Sequence, residues 1–189
     1  MNVNEIAANP TKEATNQATN QATNQATTNQ RKSQDSVLSW VKFILLILGL
    51  FLFFRYAIGI TVISGNSMAP TLHNKDVIVT NNLFFTPEIN DIVQFRDVHG
   101  FDVIKRIIAL PNDTVKIANG VVYVNGDKVH EVYSTGFPTD MELVKVAENS
   151  YFVMGDNRTP GESLDSRNSE FGFLPKERIK GELLFSLYP

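Results

Sequence analysis

The sequence predicts a mainly β domain of about 130 residues, preceded by one N-terminal transmembrane α-helix. Residues 43–54 read FILLILGLFLFF, without a single polar side chain. From residue 60 onward, short runs rich in Val, Ile, Thr, Phe and Tyr alternate with turn residues. No helical period of convincing length follows the apolar run.

Residues 1–36 read as a polar tail. The tetrad Ala-Thr-Asn-Gln runs from Ala14 to Gln25 and continues imperfectly to Gln30. Such a segment has little apolar surface to offset its chain entropy and is expected to be disordered, a solvated leader. A period this short cannot build a solenoid.

Residues 37–56 are expected to cross a bilayer. The apolar run alone spans about 18 Å as a helix, short of a hydrocarbon core of about 30 Å. Extending it back to Val37 gives about 27 Å, with Lys42 snorkelling to the headgroups. Trp40 and Tyr56 stand where interfacial aromatics belong. A buried core helix would be striped rather than apolar all round. A cleaved leader would need a small-residue site, and Arg55 interrupts the approach to Ala57-Ile58-Gly59. Arg31, Lys32 and Lys42 precede the run, whereas only Arg55 follows it closely. This asymmetry predicts a cytoplasmic N-terminus and an extracytoplasmic domain over 57–189.

Within that domain, residues 77–80, 91–95, 101–110, 114–117, 121–124, 128–132, 151–154 and 182–187 read as strands. Asn125-Gly126 is a two-residue hairpin signal, and Pro111-Asn112-Asp113 and Gly155-Asp156-Asn157 are further turns. The run 56–63 is apolar enough to lie at the membrane surface.

Composition removes several function classes. The chain has no cysteine, so disulfide scaffolds, thiolate zinc sites and thiol nucleophiles are excluded. His73, His99 and His130 are isolated in polar or hairpin surroundings and read as surface residues. The whole chain carries a formal charge of −3. Residues 60–189 hold 12 Lys and Arg against 17 Asp and Glu, a net of −5, which argues against nucleic acid as a partner.

The chemistry that remains centres on a serine and a lysine. Ser64-Gly65-Asn66-Ser67-Met68-Ala69-Pro70 follows an apolar run; Gly65 permits a tight turn and Pro70 restrains the chain after it. A serine held in such a turn can expose its neighbouring N–H groups as an oxyanion hole requires, although Ser-Gly-Asn clusters are also ordinary turns. In residues 101–110, strand alternation puts Phe101, Val103, Lys105, Ile107 and Ala109 on one face. Lys105 is the lone charge there, and burial would lower its pKa toward the range of a base at neutral pH. Alternation alone equally allows Lys105 to snorkel to the strand edge. The opposite face carries Asp102 and Arg106, a solvated or salt-bridged pattern.

The ordered series SGNSMAPTL, NDIVQF, VIKRIIALPNDTV, MGDNR, SLDSR and FGFLP resembles the type I signal peptidase family over residues 37–189. The resemblance implies a coiled antiparallel β-sheet catalytic domain. It implies a serine–lysine dyad that removes signal peptides from exported pre-proteins at the outer membrane surface, cleaving after small residues. By motif, Ser67 is the expected nucleophile and Lys105 the general base. Ser163 matches the serine that orients the lysine amine. Asp165 and Arg167 match a structural ion pair, and Asp156, Asn157 and Arg158 belong to the GDNR turn. These are expected to stabilise loops, as Arg106 does beside the base and Met68 and Pro70 do in the nucleophile's turn, with only Ser163 touching the dyad.

The chain also departs from the family pattern. Gly65 stands where some members carry an oxyanion-hole serine, so the second donor is expected to be a backbone N–H or the Ser64 hydroxyl. Asn90 and Asn112 replace common glycines, and Thr159-Pro160-Gly161-Glu162 makes the connection to Ser163 two residues longer than usual. Ile63 and Ile104 are the expected subsite walls. No metal or organic cofactor is implied. The expected partners are pre-protein signal peptides, the lipid bilayer and a nearby secretion translocon. Two rivals remain at this level: a Ser–Lys protease with another substrate, such as the SOS-repressor type of autoprotease, and a non-catalytic membrane-tethered β domain.

Overall fold

The structure, a computed structural model, describes residues 38–97 and 99–187. The repetitive tail over 1–36, expected to be disordered, lies outside the described residues. Helix α1 (Leu38–Ala57) is long and apolar enough to cross a membrane, about 30 Å at the usual helical rise. Its side chains over 38–56, Trp40, Phe43, Leu45 and Phe51 among them, are exposed all round, and only Ala57 at its end is buried.

The chain then becomes β. Strands β1 (Ile58–Val62), β2 (Val77–Asn81), β3 (Ile92–Arg96), β4 (Asp102–Ala109), β9 (Ser150–Met154), β10 (Leu174–Pro175) and β11 (Ile179–Leu187) form one sheet in the order β1-β2-β11-β3-β4-β9-β10. Strands β5 (Thr114–Ala118), β6 (Val121–Val124), β7 (Asp127–Lys128) and β8 (Met141–Lys145) form a second, in the order β7-β6-β5-β8. Every pairing within them is antiparallel. The larger sheet coils: the Gln94 amide of β3 donates to Thr61 Oγ1 of β1 at 3.1 Å, although β2 and β11 lie between those strands in sheet order.

Lys105, Ile107 and Ala109 on the expected face of β4 are buried, but so are Arg106 and Ile108 on the other, because this stretch of the strand is covered on both sides; Phe101 stays exposed ahead of it. A bulge between Ile107 and Ala109 sends the two into different clusters. Ile107 packs with Val93, Phe95 and Val153, and Ala109 with Ile117, Phe152 and Met154. A third cluster joins Ile63, Met68, Leu72, Ile78 and Ile92 beneath the serine turn. Each such fully buried aliphatic or aromatic side chain contributes about 1.5–3 kcal/mol.

Local turn chemistry behaves as read. Asn125 and Gly126 both take positive φ, 54° and 90°, which the hairpin between β6 and β7 demands. Asn90 and Asn112 sit at φ 76° and 72°, so asparagine fills these left-handed positions. Two strand expectations need correction. The run 128–132 is strand only to Lys128: after a last bond from the Val129 N–H to the Val122 carbonyl of β6 the chain turns away, and by Thr135 it runs beside residues 156–158. The run 56–63, read as an interfacial segment, contributes edge strand β1. Strand β8 was absent from the sequence reading; Glu142 and Lys145 mask its short alternation on an edge.

Candidate active site

Ser67 stands in the turn after β1, where Gly65 adopts φ 102°, a conformation open to glycine and strained for other residues. Met68 is buried in the third cluster and anchors this turn from below. The Ala69–Pro70 peptide is cis, with Pro70 at the surface. Lys105 comes from the middle of β4, 3% exposed, and its Nζ lies 2.8 Å from Ser67 Oγ. Burial pushes its amine down from 10.5 to about 8. Asp165 and then Asp156 pull it upward, while Arg167 opposes them. An alcohol hydrogen-bonded to an amine that sheds its proton near neutrality is the arrangement nucleophilic catalysis requires.

The turn over 155–158 holds the serine from the other side. The Asn157 N–H donates to the Ser67 carbonyl at 3.0 Å, and its side-chain amide reaches the Asn66 carbonyl at 3.4 Å. Asp156, fully buried, accepts from Arg106 Nε and Nη2 at 2.8 and 2.6 Å and from Thr71 Oγ1 at 2.5 Å. Arg106 also stacks on Tyr133, 4.0 Å from the ring centroid, and donates to the Asn90 carbonyl. Arg106 is thus buried and paired rather than solvated. Arg158, with no exposed surface, pairs with Glu131 and donates from Nε to the Gly155 carbonyl at 2.7 Å. Gly155 has no room for a side chain, since a methyl group there would collide with Ser163 Oγ and the Ser67 carbonyl.

Asp165 and Arg167 form a bidentate pair, at 2.7 Å for both bonds. Burial alone would raise the Asp165 carboxyl. The Arg167 guanidinium, the Ser163 hydroxyl and the Gly155 N–H outweigh it and hold the group below the usual carboxylate range.

Three expectations change. Ser163 was expected on the lysine amine; its hydroxyl instead donates to Asp165 Oδ2 at 2.6 Å, because a fixed carboxylate is the stronger acceptor nearby. Its link to Lys105 therefore runs through Asp165, whose charge acts on the amine. The Gly65 N–H was a candidate oxyanion donor, but it is engaged by Asn74 Oδ1 at 3.1 Å. Third, it is Asn157, not Ser163, that hydrogen-bonds to the dyad, through the Ser67 carbonyl. The Ser67 N–H and the Ser64 hydroxyl carry no hydrogen bond among the described residues and remain as donors.

Ile63, Ser64, Ser67, Met68, Ile104 and Lys105 line one cleft of about 330 Å³. Ile104 packs onto the cluster that contains Ile63, so the two expected walls belong to one apolar patch. Asn74, Thr71, Glu131 and Tyr133 were missed in the sequence. Thr71 and Asn74 lie within eight positions of Ser67, yet nothing in their type announces a partner. Glu131 was hidden in the run 128–132, which reads as a hairpin strand, and Tyr133 lies just beyond that run.

The family model described as "Signal peptidase, peptidase S26" matches residues 37–188. The chain is 41% identical over 174 residues to signal peptidase I S of Bacillus subtilis (strain 168), covering 82% of this chain and 91% of that protein. It is 38% identical over 141 residues to a probable signal peptidase I-1 of Synechocystis, covering 67% and 69% respectively. Among solved structures, a signal peptidase I from Enterococcus faecalis matches with a TM-score of 0.47 at 31% identity, over 53% of this chain and 98% of that one.

Proposed function

From its membership of the peptidase S26 family, to which the chain belongs, we propose that it is a membrane-anchored serine endopeptidase that removes signal peptides from exported pre-proteins. The observation that carries the reading is the 2.8 Å contact between Ser67 Oγ and a buried Lys105 amine held near pKa 8. Neutral Lys105 takes the Ser67 proton as the oxygen attacks the carbonyl before the scissile bond. The Ser67 N–H and the Ser64 hydroxyl receive the developing oxyanion; losing one such donor costs about 10²–10³ in rate. The resulting lysine ammonium protonates the leaving amine. As a neutral base again, it activates the water that hydrolyses the acyl-enzyme.

Ile63 and Ile104 supply apolar walls of the cleft beside the dyad, and exclusion of larger side chains by such walls would give cleavage after small residues. Helix α1 is the anchor in the bilayer. The basic residues ahead of it support a cytoplasmic N-terminus and a catalytic domain on the extracytoplasmic side, close to the secretion translocon whose substrates it processes. The test is cleavage of an added pre-protein by the purified full-length chain. Product cut after a small residue is expected from the unaltered protein and none from Ser67→Ala; an uncut substrate with the unaltered protein overturns the reading.

A further inference from the structure

Arg158, a guanidinium cation, is fully buried. A charge in that position needs a partner. Among the described residues its carboxylate partner is Glu131, which engages both Nη atoms, with a side chain 13% exposed. Glu131 comes from the connector between β7 and β8, outside the cleft and far along the chain from either dyad residue. Residues 131–135 run beside the 155–158 turn: the Thr135 N–H donates to the Asp156 carbonyl at 3.0 Å, and the Arg158 N–H donates to the Thr135 carbonyl at 2.7 Å. Tyr133, on the same connector, stacks on Arg106 and donates to Asn90 Oδ1 at 3.2 Å.

The other side of that turn bears on the serine. The Arg158 Nε bond to the Gly155 carbonyl closes the turn, the Asn157 N–H holds the Ser67 carbonyl, and Gly155 lies against both Ser67 and Ser163. A shift of Arg158 therefore moves the backbone of Ser67 relative to Lys105, which is held by the ladder of β4 with β3. The cleft walls Ile63 and Ile104 have no hydrogen bond to this turn.

We infer that Glu131 is a positioning residue: by pairing with buried Arg158 it holds the 155–158 turn against the Ser67 carbonyl and keeps Ser67 aligned with Lys105. This rests on Ser67 and Lys105 being the catalytic pair. Removing the Glu131 charge leaves a buried guanidinium without its counter-ion, and the turn must open toward water to solvate it. Small misplacements of a reacting group cost up to about 10²-fold in rate. Substrate binding, set by the cleft walls, is left in place.

The experiment compares the unaltered full-length chain, Glu131→Gln and Glu131→Asp in detergent micelles. Each cleaves a pre-protein with alanine at the first and third positions before the cut, below the melting transition followed by circular dichroism. Glu131→Gln is expected to lower kcat about ten- to hundredfold with KM within about threefold, and Glu131→Asp to regain part of the loss. An unchanged kcat in folded Glu131→Gln, or a loss confined to KM, overturns the inference. Should Glu131→Gln fail to fold, Glu131→Asp decides: a lower kcat at unchanged KM upholds the inference, and an unaltered kcat overturns it. No cleavage by the unaltered chain defeats the catalytic-pair reading instead, whereas equal cleavage by the unaltered chain and folded Glu131→Gln defeats this inference alone.

Discussion

Ser67 Oγ and Lys105 Nζ meet at 2.8 Å across 38 positions of sequence, one from a glycine-opened turn and the other from the interior of a strand. The turn is held by backbone hydrogen bonds and the strand by its ladder, so neither group reorganises to reach the other. Such prior alignment removes part of the entropic barrier that two free reactants would face.

Replacing Ser67 with alanine removes the attacking oxygen and little else, since Ser67 Oγ bonds only to Lys105 among the described residues. Processing of a pre-protein is expected to fall by more than about 10³-fold, with thermal unfolding little altered. Cleavage at the unaltered rate would assign the reaction to another group.

The pH profile should carry the lysine's signature. Only the neutral amine accepts the serine proton, so kcat/KM is expected to rise with pH and level off above about 8. A limb near the ordinary lysine value of 10.5 would mean the amine is hydrated. Lys105→Arg is expected to be inactive throughout, because guanidinium stays protonated.

The same burial predicts a stability gain on removing the charge. Lys105 has a folded pKa of about 8 against 10.5 in free chain, so the unfolded state binds more protons between those values. Stability of the unaltered protein therefore rises with pH across that window, and the full penalty is present below about 8. The difference corresponds to about 3 kcal/mol. Lys105→Met should be inactive yet more stable at pH 7, with the gap closing toward pH 10. Denaturant unfolding at the two pH values measures it, and a less stable methionine variant would contradict the burial argument.

Gly155→Ala places a methyl group into Ser163 Oγ and the Ser67 carbonyl. Overpacking of this kind costs about 1–3 kcal/mol. The turn that holds Ser67 absorbs the strain, so activity is expected to fall further than stability. Parallel melting and processing assays would reveal a variant that keeps both, which this packing forbids.

Asp156→Ala leaves Arg106 buried without its carboxylate. Loss of one partner from a buried pair costs about 3–5 kcal/mol, and a lowered midpoint in urea is expected. Replacing both residues by apolar ones should recover much of that stability, which a double-mutant cycle checks.

What the sequence determined by itself was local. An apolar run bounded by charges, an alternating face interrupted by Lys105, and an Asn-Gly pair each state their structure within a few residues, because helix length, strand period and turn dihedrals are short-range properties. Asn90 and Asn112 were legible through the resemblance, as asparagines where the family commonly carries glycine, a residue type that tolerates the same left-handed geometry. The placement of Ser67 and Lys105 on a turn and a strand was equally open to reading, and the ordered motifs named their roles.

Only the tertiary structure decided which partners each polar group would take. The Gly65 N–H turned to Asn74 rather than to an incoming oxyanion, Ser163 chose Asp165 over the amine, and Arg158 found Glu131 27 positions upstream. A donor's partner is whichever acceptor the folded chain brings within about 3 Å, and competition between acceptors depends on burial and charge that no local pattern encodes. The bulge after Ile107, which parted two residues of one face into separate cores, arises likewise from pairing with a strand far along the chain.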